Sequence, residues 1–320
     1  MIRTALTDLF GLEYPIVLAP MGGASGAELA AAVSNAGGLG VVGGAYGDPA
    51  FLARELDGMT TKTSRKWGVG LITWKAGEDA FKVALGHAPD AFFLSFGDPL
   101  KFAGEIKAAG CTLICQVQDV ETALAAKSAG ADLIVAQGTE AGGHGANARS
   151  TLTLVPVVTD AVAPTPVLAA GGISDGRSVA AALALGAAGV VIGTRFCATQ
   201  ESLLHPEAKR RLVRAKSGDT VRTTVFDAVR GYHWPAPFTG RALRNRFWRE
   251  WESNRAGLQT DEALRESYRQ AQREADFDTV VIWAGEGVDL VSDIPAAGDL
   301  VRQIGHDAEV GLRRLAQLLS

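Results

Sequence analysis

The first two thirds of the chain alternate short, continuously apolar runs with longer stretches in which apolar residues recur at helical spacing. The runs cover residues 15–20, 39–43, 67–72, 91–95, 112–117, 132–135, 166–170 and 189–193. Continuous rather than alternating apolar character suits strands covered on both faces of a parallel sheet. Between them, 25–35, 48–57, 78–85, 120–129 and 176–185 read as helices, and Asp98-Pro99 opens another. Asp48-Pro49 places a capping carboxylate before a proline at the first helical position. Eight strands with helical segments between them predict an α/β fold, a TIM (β/α)8 barrel. A doubly wound open sheet is the alternative, because periodicity does not show closure. No GxGxxG follows the first strand, which counts against a dinucleotide-binding open sheet.

From about Lys216 the pattern changes. Glycine becomes sparse, arginine becomes common, and four of the six tryptophans (Trp234, Trp248, Trp251, Trp283) fall in this part. Residues 241–253 and 261–275 read as helices, the second highly charged and so exposed on one side. The division expected is a barrel at 1–215, a smaller, mostly α-helical substrate or lid domain at 216–290, and an amphipathic C-terminal helix at 291–320 that packs back on the barrel.

Composition narrows the classes. Of the 320 residues, 47% are apolar and 21% charged, as in ordinary globular proteins. The net charge of −4 argues against a nucleic-acid partner. No run is long enough to span a bilayer or to form a signal-peptide core, so neither a membrane nor export is expected. The three cysteines (Cys111, Cys115, Cys197) have no metal or redox spacing. A reduced, cytoplasmic chain is the expectation, and Cys115 and Cys197 are read as core.

In such a barrel, chemistry gathers after the strands. Gly171-Gly172 and Gly193-Thr194 follow adjacent strands, where uncovered backbone N–H groups hold phosphate. The stretch Ala136-Gln137-Gly138-Thr139-Glu140-Ala141-Gly142-Gly143-His144 follows the sixth strand and reads as a glycine-rich loop. His144 is the one histidine in such a loop, placed to act as acid, base or hydrogen-bond donor. Glu140 is read as a partner of the loop backbone rather than a catalytic group. Ser25 and Ser174 read as helix caps, and the tryptophans as core and domain-interface anchors. No second histidine stands at ligand spacing from His144, so no metal is expected. No GxSxG elbow supports a serine hydrolase.

These motifs resemble the nitronate monooxygenase family. The stretch ending at His144 carries its signature, and Ala19-Pro20-Met21, Ala170-Gly171-Gly172, Gly193-Thr194-Arg195-Phe196 and Trp283-Ala284-Gly285-Glu286 follow in the matching order. The resemblance implies a barrel that binds FMN, with Pro20, Met21 and Gly22 along the ring and Gln116 and Gln137 hydrogen-bonded to it. Gly142 and Gly143 would lie beside the ring or its ribityl chain, and Gly171, Gly172, Val191, Ile192, Gly193 and Thr194 would hold the phosphate. His144 matches the active-site histidine. The implied reaction oxidises an alkyl nitronate with O2 to a carbonyl compound and nitrite, so the partners are a small anionic or electron-rich substrate and O2. A homodimer is compatible with the sequence. FMN-dependent NAD(P)H:quinone or enoyl reductases share the barrel and a similar histidine loop, and are the alternative. A flavin-free phosphate-binding lyase or isomerase is more distant, lacking a convincing strand-end lysine or carboxylate pair. Two positions depart from the family pattern: Gly70, where many members have asparagine, and Glu286, where glutamine is usual.

Overall fold

The computed structural model describes residues 2–255, 257–258 and 260–319. Eight parallel strands form the barrel: β1 (Ile16–Leu18), β2 (Gly40–Gly43), β3 (Trp67–Ile72), β4 (Ala91–Ser95), β5 (Thr112–Val117), β6 (Leu133–Gln137), β8 (Val167–Ala170) and β9 (Gly189–Ile192). The intervening β7 (Gly143–Ala146) stands outside it. The strands neighbour one another in chain order, and β1 pairs with β9 through Val17 and Val191. A bridge between Val17 and Leu39 closes the ring, with the Leu18 and Leu39 amides donating to Leu39 O and Ile16 O, each at 2.9 Å. That bridge excludes the open-sheet alternative.

The continuous apolar runs have a direct cause. Successive side chains point to opposite faces of a strand, and here both faces are dry. Val17, Val41, Phe93, Ile114, Val135, Leu168 and Val191 fill the barrel interior. Leu6 and Phe10, on the helix Ala5–Phe10, pack into the same cluster and plug one end. The alternate residues, Ile16, Val42, Val69, Phe92, Ile134 and Ile192 among them, pack against the surrounding helices. Asp48 caps the helix Pro49–Lys62 as its sequence indicates, accepting from Ala50 N–H at 2.9 Å. The C-terminal helix Ala297–Ala316 lies against the helices Gly176–Ala184 and Ala27–Asn35.

Beyond the barrel, β10 (Thr220–Thr223) and β11 (Phe238–Leu243) form an antiparallel sheet with β7 in the order β10-β11-β7. The expected helix at 241–253 is therefore two elements. Arg241 to Leu243 belong to β11, and the helix runs Arg246–Trp251 with Asn245 capping Trp248 N–H at 2.9 Å. β11 is paired along both edges, and those ladders override a helical pattern that is only local. The helix Glu262–Arg273 forms as read, its exposed face carrying Glu262–Arg269 and Glu266–Arg273 pairs. Among the described residues no helix is long and apolar enough to cross a membrane.

Candidate active site

A cavity of about 470 Å³ opens at the end of the barrel where the strands finish, a volume in the range of small-molecule and cofactor sites. Pro20, Met21 and Gly22 line it from the β1 end, Gln116 from β5 and Gln137 from β6. Gly142, Gly143 and His144 line it too, as do Gly171, Gly172, Val191, Gly193 and Thr194. Ile192 does not. Its side chain alternates outward from Val191 and is buried between the barrel and the helices, while its carbonyl accepts from Ala19 N–H at 3.0 Å.

The glycine corner fits a phosphate group by its backbone. Gly171 and Gly172 hold φ of 106° and 70°, the left-handed region that favours glycine. A Cβ added at Gly172 would meet only Glu140 Cβ, at 3.7 Å, so that position faces open cavity. Among the described residues the amides of Gly172, Ile173 and Thr194 donate to no protein acceptor. Thr194 Oγ1 is otherwise engaged, accepting from Gly285 N–H at 3.0 Å.

The stretch that reads as a loop is partly a strand. Gly143 to Ala146 pair with β11, and His144 stands opposite Gly240. The ring of Trp283 occupies the space where a side chain at Gly240 would go. His144 is thus held by a sheet that the second part of the chain supplies. Gln137 braces it from the barrel side: its Nε2 donates to His144 O at 3.1 Å. Its Oε1 accepts from Gln116 and Gln118, at 3.1 and 2.9 Å. Gln137 is largely spent on this network, whereas the Oε1 of Gln116 is uncommitted.

The imidazole has partners that the sequence does not reveal. Its Nε2 lies 2.9 Å from Oδ2 of Asp227, and both side chains are buried. Trp234 stacks on the ring with centroids 3.6 Å apart and planes 8° from parallel, and Trp283 tilts against it at 4.8 Å. Burial pushes the imidazole below its ordinary proton affinity. The Asp227 hydrogen bond and charge oppose this, and Arg230 and Arg222 add to the lowering. The balance favours the neutral imidazole. With the Asp227 carboxylate accepting at Nε2, the proton sits on Nε2 and the lone pair on Nδ1, which contacts no donor among the described residues. Tyr46 and Arg230 join the cavity wall, and Trp234 bonds to Tyr46 Oη at 3.2 Å.

Other expectations resolve individually. Glu140 accepts from Thr151 N–H and Oγ1, a structural role in line with its reading. Ser25 and Ser174 are not caps. Ser25 Oγ accepts from Met21 N–H at 2.7 Å, and Gly26 and Asp175 occupy the two cap positions. Cys115 and Cys197 are buried, with thiols pushed up to about 12 by desolvation. Gly70 leaves room for Pro20: a Cβ there would stand 2.1 Å from the proline Cβ. Glu286 pairs with Arg241 at 2.8 Å, and Arg241 also donates to Thr139 O. This ties the C-terminal segment to the histidine strand. Replacing Glu286 with Gln is expected to lower stability by about 0.5–1.5 kcal/mol in denaturant titration.

A profile of the nitronate monooxygenase family matches residues 3–88 and 73–307. The chain belongs to the nitronate monooxygenase family. Nitronate monooxygenase npaC of Metarhizium robertsii is 37% identical over 331 residues, covering 94% of this chain and 90% of that protein. A hydroxy-methyl-oxo-octahydroindene-carboxyl-CoA dehydrogenase of Rhodococcus jostii is 32% identical over 345 residues, 96% of each chain. The structure of FabK from Thermotoga maritima superposes with a TM-score of 0.87 at 32% identity, covering 99% of this chain and 100% of that one. Membership makes this nitronate monooxygenase relative a flavin-dependent oxidoreductase built on a TIM barrel.

Proposed function

We propose that this protein binds FMN and oxidises alkyl nitronates with O2 to a carbonyl compound and nitrite. The observation that carries the reading is His144: a buried imidazole on the cavity wall, held by Asp227 at Nε2 and with no donor at Nδ1 among the described residues. The amides of Gly172, Ile173 and Thr194 would hold the FMN phosphate, with Gly171 and Gly193 leaving them uncovered. Pro20, Met21 and Gly22 would flank the ring, and Gln116 would hydrogen-bond it. Bound FMN supplies electron acceptance and the reaction with O2.

The protein's part is to hold the anion, manage one proton and keep water out. A nitronate brought beside His144 raises the proton affinity of the imidazole, so the anion binds together with a proton at Nδ1. The same complex forms when a neutral nitroalkane gives its α proton to Nδ1. The C–H bond breaks, an N–H bond forms, and the electron pair passes into the nitro group. In either case Nδ1–H then donates to a nitronate oxygen, and Asp227 offsets the imidazolium charge. Trp234, Trp283 and Phe96 surround the ring and exclude water.

The test is an absorbance spectrum followed by anaerobic additions. The purified protein is expected to be yellow, to release FMN on heating, and to bleach on addition of nitronate but not of NAD(P)H. Bleaching by NAD(P)H alone would turn the reading to a quinone or enoyl reductase, and a colourless protein would remove both.

A further inference from the structure

We propose that Asp227 is a positioning residue for His144: from outside the barrel it sets which imidazole nitrogen faces the cavity and stabilises the protonated ring. The role rests on the reading of His144 as the group that takes up a proton. Asp227 belongs to the short helix Val225–Val229, which follows β10. It is far from His144 in sequence, and the three-stranded sheet brings the two together: β7 pairs with β11, and β11 with β10.

Three observations converge. The first is the contact itself, Asp227 Oδ2 to His144 Nε2 at 2.9 Å, with the side chains 3% and 9% exposed. A carboxylate accepts and cannot donate, so this contact selects the Nε2–H tautomer and leaves Nδ1 as the acceptor. The second is the other oxygen. Oδ1 of Asp227 is buried without a hydrogen bond, and its nearest cation, Nη1 of Arg230, is 3.9 Å away and equally unpartnered. A buried carboxylate in so loose a pair keeps unspent charge for a cation forming beside it. The third is that no other contact among the described residues restrains the ring in this way. Gln137 holds the backbone of His144 and Trp234 covers the ring face, and neither contact distinguishes the two nitrogens.

The remaining charged and titratable groups around the pair come from four elements or loops. Arg222 lies on β10, Arg230 follows the Asp227 helix, Tyr46 is in the segment after β2, and Tyr268 is on the helix Glu262–Arg273. Burial pushes both tyrosines up to about 12, so they stay neutral through the working range. Burial also lowers Arg222, to about 10, which leaves it charged. Among these groups Asp227 is the one that raises the proton affinity of His144.

The experiment uses the flavin-loaded enzyme and its D227N and D227E variants. Nitrogen-15 spectra of labelled histidine, with the His144 signal assigned by its loss in H144Q, report the tautomer without substrate. The wild type is expected to show Nε2–H at His144, and D227N to lose that preference. In turnover, D227N is expected to lower kcat by about tenfold to a hundredfold with KM within about threefold, and D227E to recover part of the loss. With a neutral nitroalkane as substrate, removing the carboxylate also shifts the acid limb of the kcat profile to lower pH, because the group that raises the affinity of His144 for a proton is gone. A purely structural Asp227 would lower the melting temperature and leave tautomer and acid limb in place, and that result overturns the proposal. An Nδ1–H signal in the wild type overturns it as well. If no nitronate is consumed yet the Nε2–H signal disappears in D227N, the proposed reaction fails and the positioning role stands.

Discussion

Replacing His144 with Ala is expected to lower nitronate turnover by about 10²- to 10⁴-fold while the protein still carries its flavin. The size follows from two losses at once: Nδ1 disappears as a proton acceptor, and Nδ1–H disappears as the donor to the bound nitronate. The flavin survives because the glycine corner at Gly171, Gly172 and Thr194 is built by other strands. The substitution leaves Asp227 buried without its partner, which costs about 1–3 kcal/mol, so H144Q is the companion variant that refills the space. Steady-state assays with equal flavin content check the result, and unchanged turnover in both variants would remove His144 from the chemistry.

The pH dependence has a definite sign. Burial lowers the affinity of His144 for protons, so the neutral form persists below the ordinary histidine range. With a neutral nitroalkane as substrate, activity needs a free Nδ1; it is retained below about pH 6.5 and falls as pH drops through the lower value of the folded protein. The same shift affects stability. The unfolded chain protonates this histidine first, so its contribution is complete above about pH 6.5 and is lost as pH falls through the folded value.

Replacing Gly172 with Trp is expected to reduce bound flavin about tenfold or more, equivalent to about 1.4 kcal/mol of affinity. The protein itself tolerates a Cβ there, whose nearest neighbour is 3.7 Å away. The left-handed backbone adds about 1–2 kcal/mol of strain, which a folded domain absorbs. What the indole displaces is the ligand at the Gly172, Ile173 and Thr194 amides. G172A carries the same strain with little volume and is expected to keep its flavin. Flavin content is read from the visible spectrum against protein concentration, with near-ultraviolet circular dichroism to confirm folding. Full occupancy in G172W would place the phosphate elsewhere.

The barrel and most of its cavity wall were legible because they rest on local chemistry. A strand dry on both faces must be apolar throughout, as 67–72 and 112–117 are. A turn that exposes amides favours glycine, as at Gly171 and Gly172. Gln137 and His144 share one short segment, so their nearness to the cavity also follows from sequence alone. The Ile192 side chain stands outside the cavity wall for a related reason: a motif gives the strand end but not which of two adjacent side chains turns inward.

Closure of the ring, by contrast, depends on the Val17–Leu39 bridge, a meeting of two strands that no period encodes. The same is true of the site's second half. The helical reading of 241–253 failed because pairing with β7 and β10 outweighs local pattern. Trp234 is an interface anchor as read, packed on Tyr46, Trp74 and Phe96, but its stacking on His144 is set by the tertiary structure alone. Asp227, a single carboxylate in the apolar run Val225–Val229, acquires its meaning only where the sheet sets it 2.9 Å from His144. The sequence by itself determined eight strands with a glycine corner and a histidine beyond their ends, because burial and backbone geometry act within a few residues. Only the tertiary structure decided how that histidine is protonated and held, because hydrogen bonds and desolvation join groups that are distant in the chain.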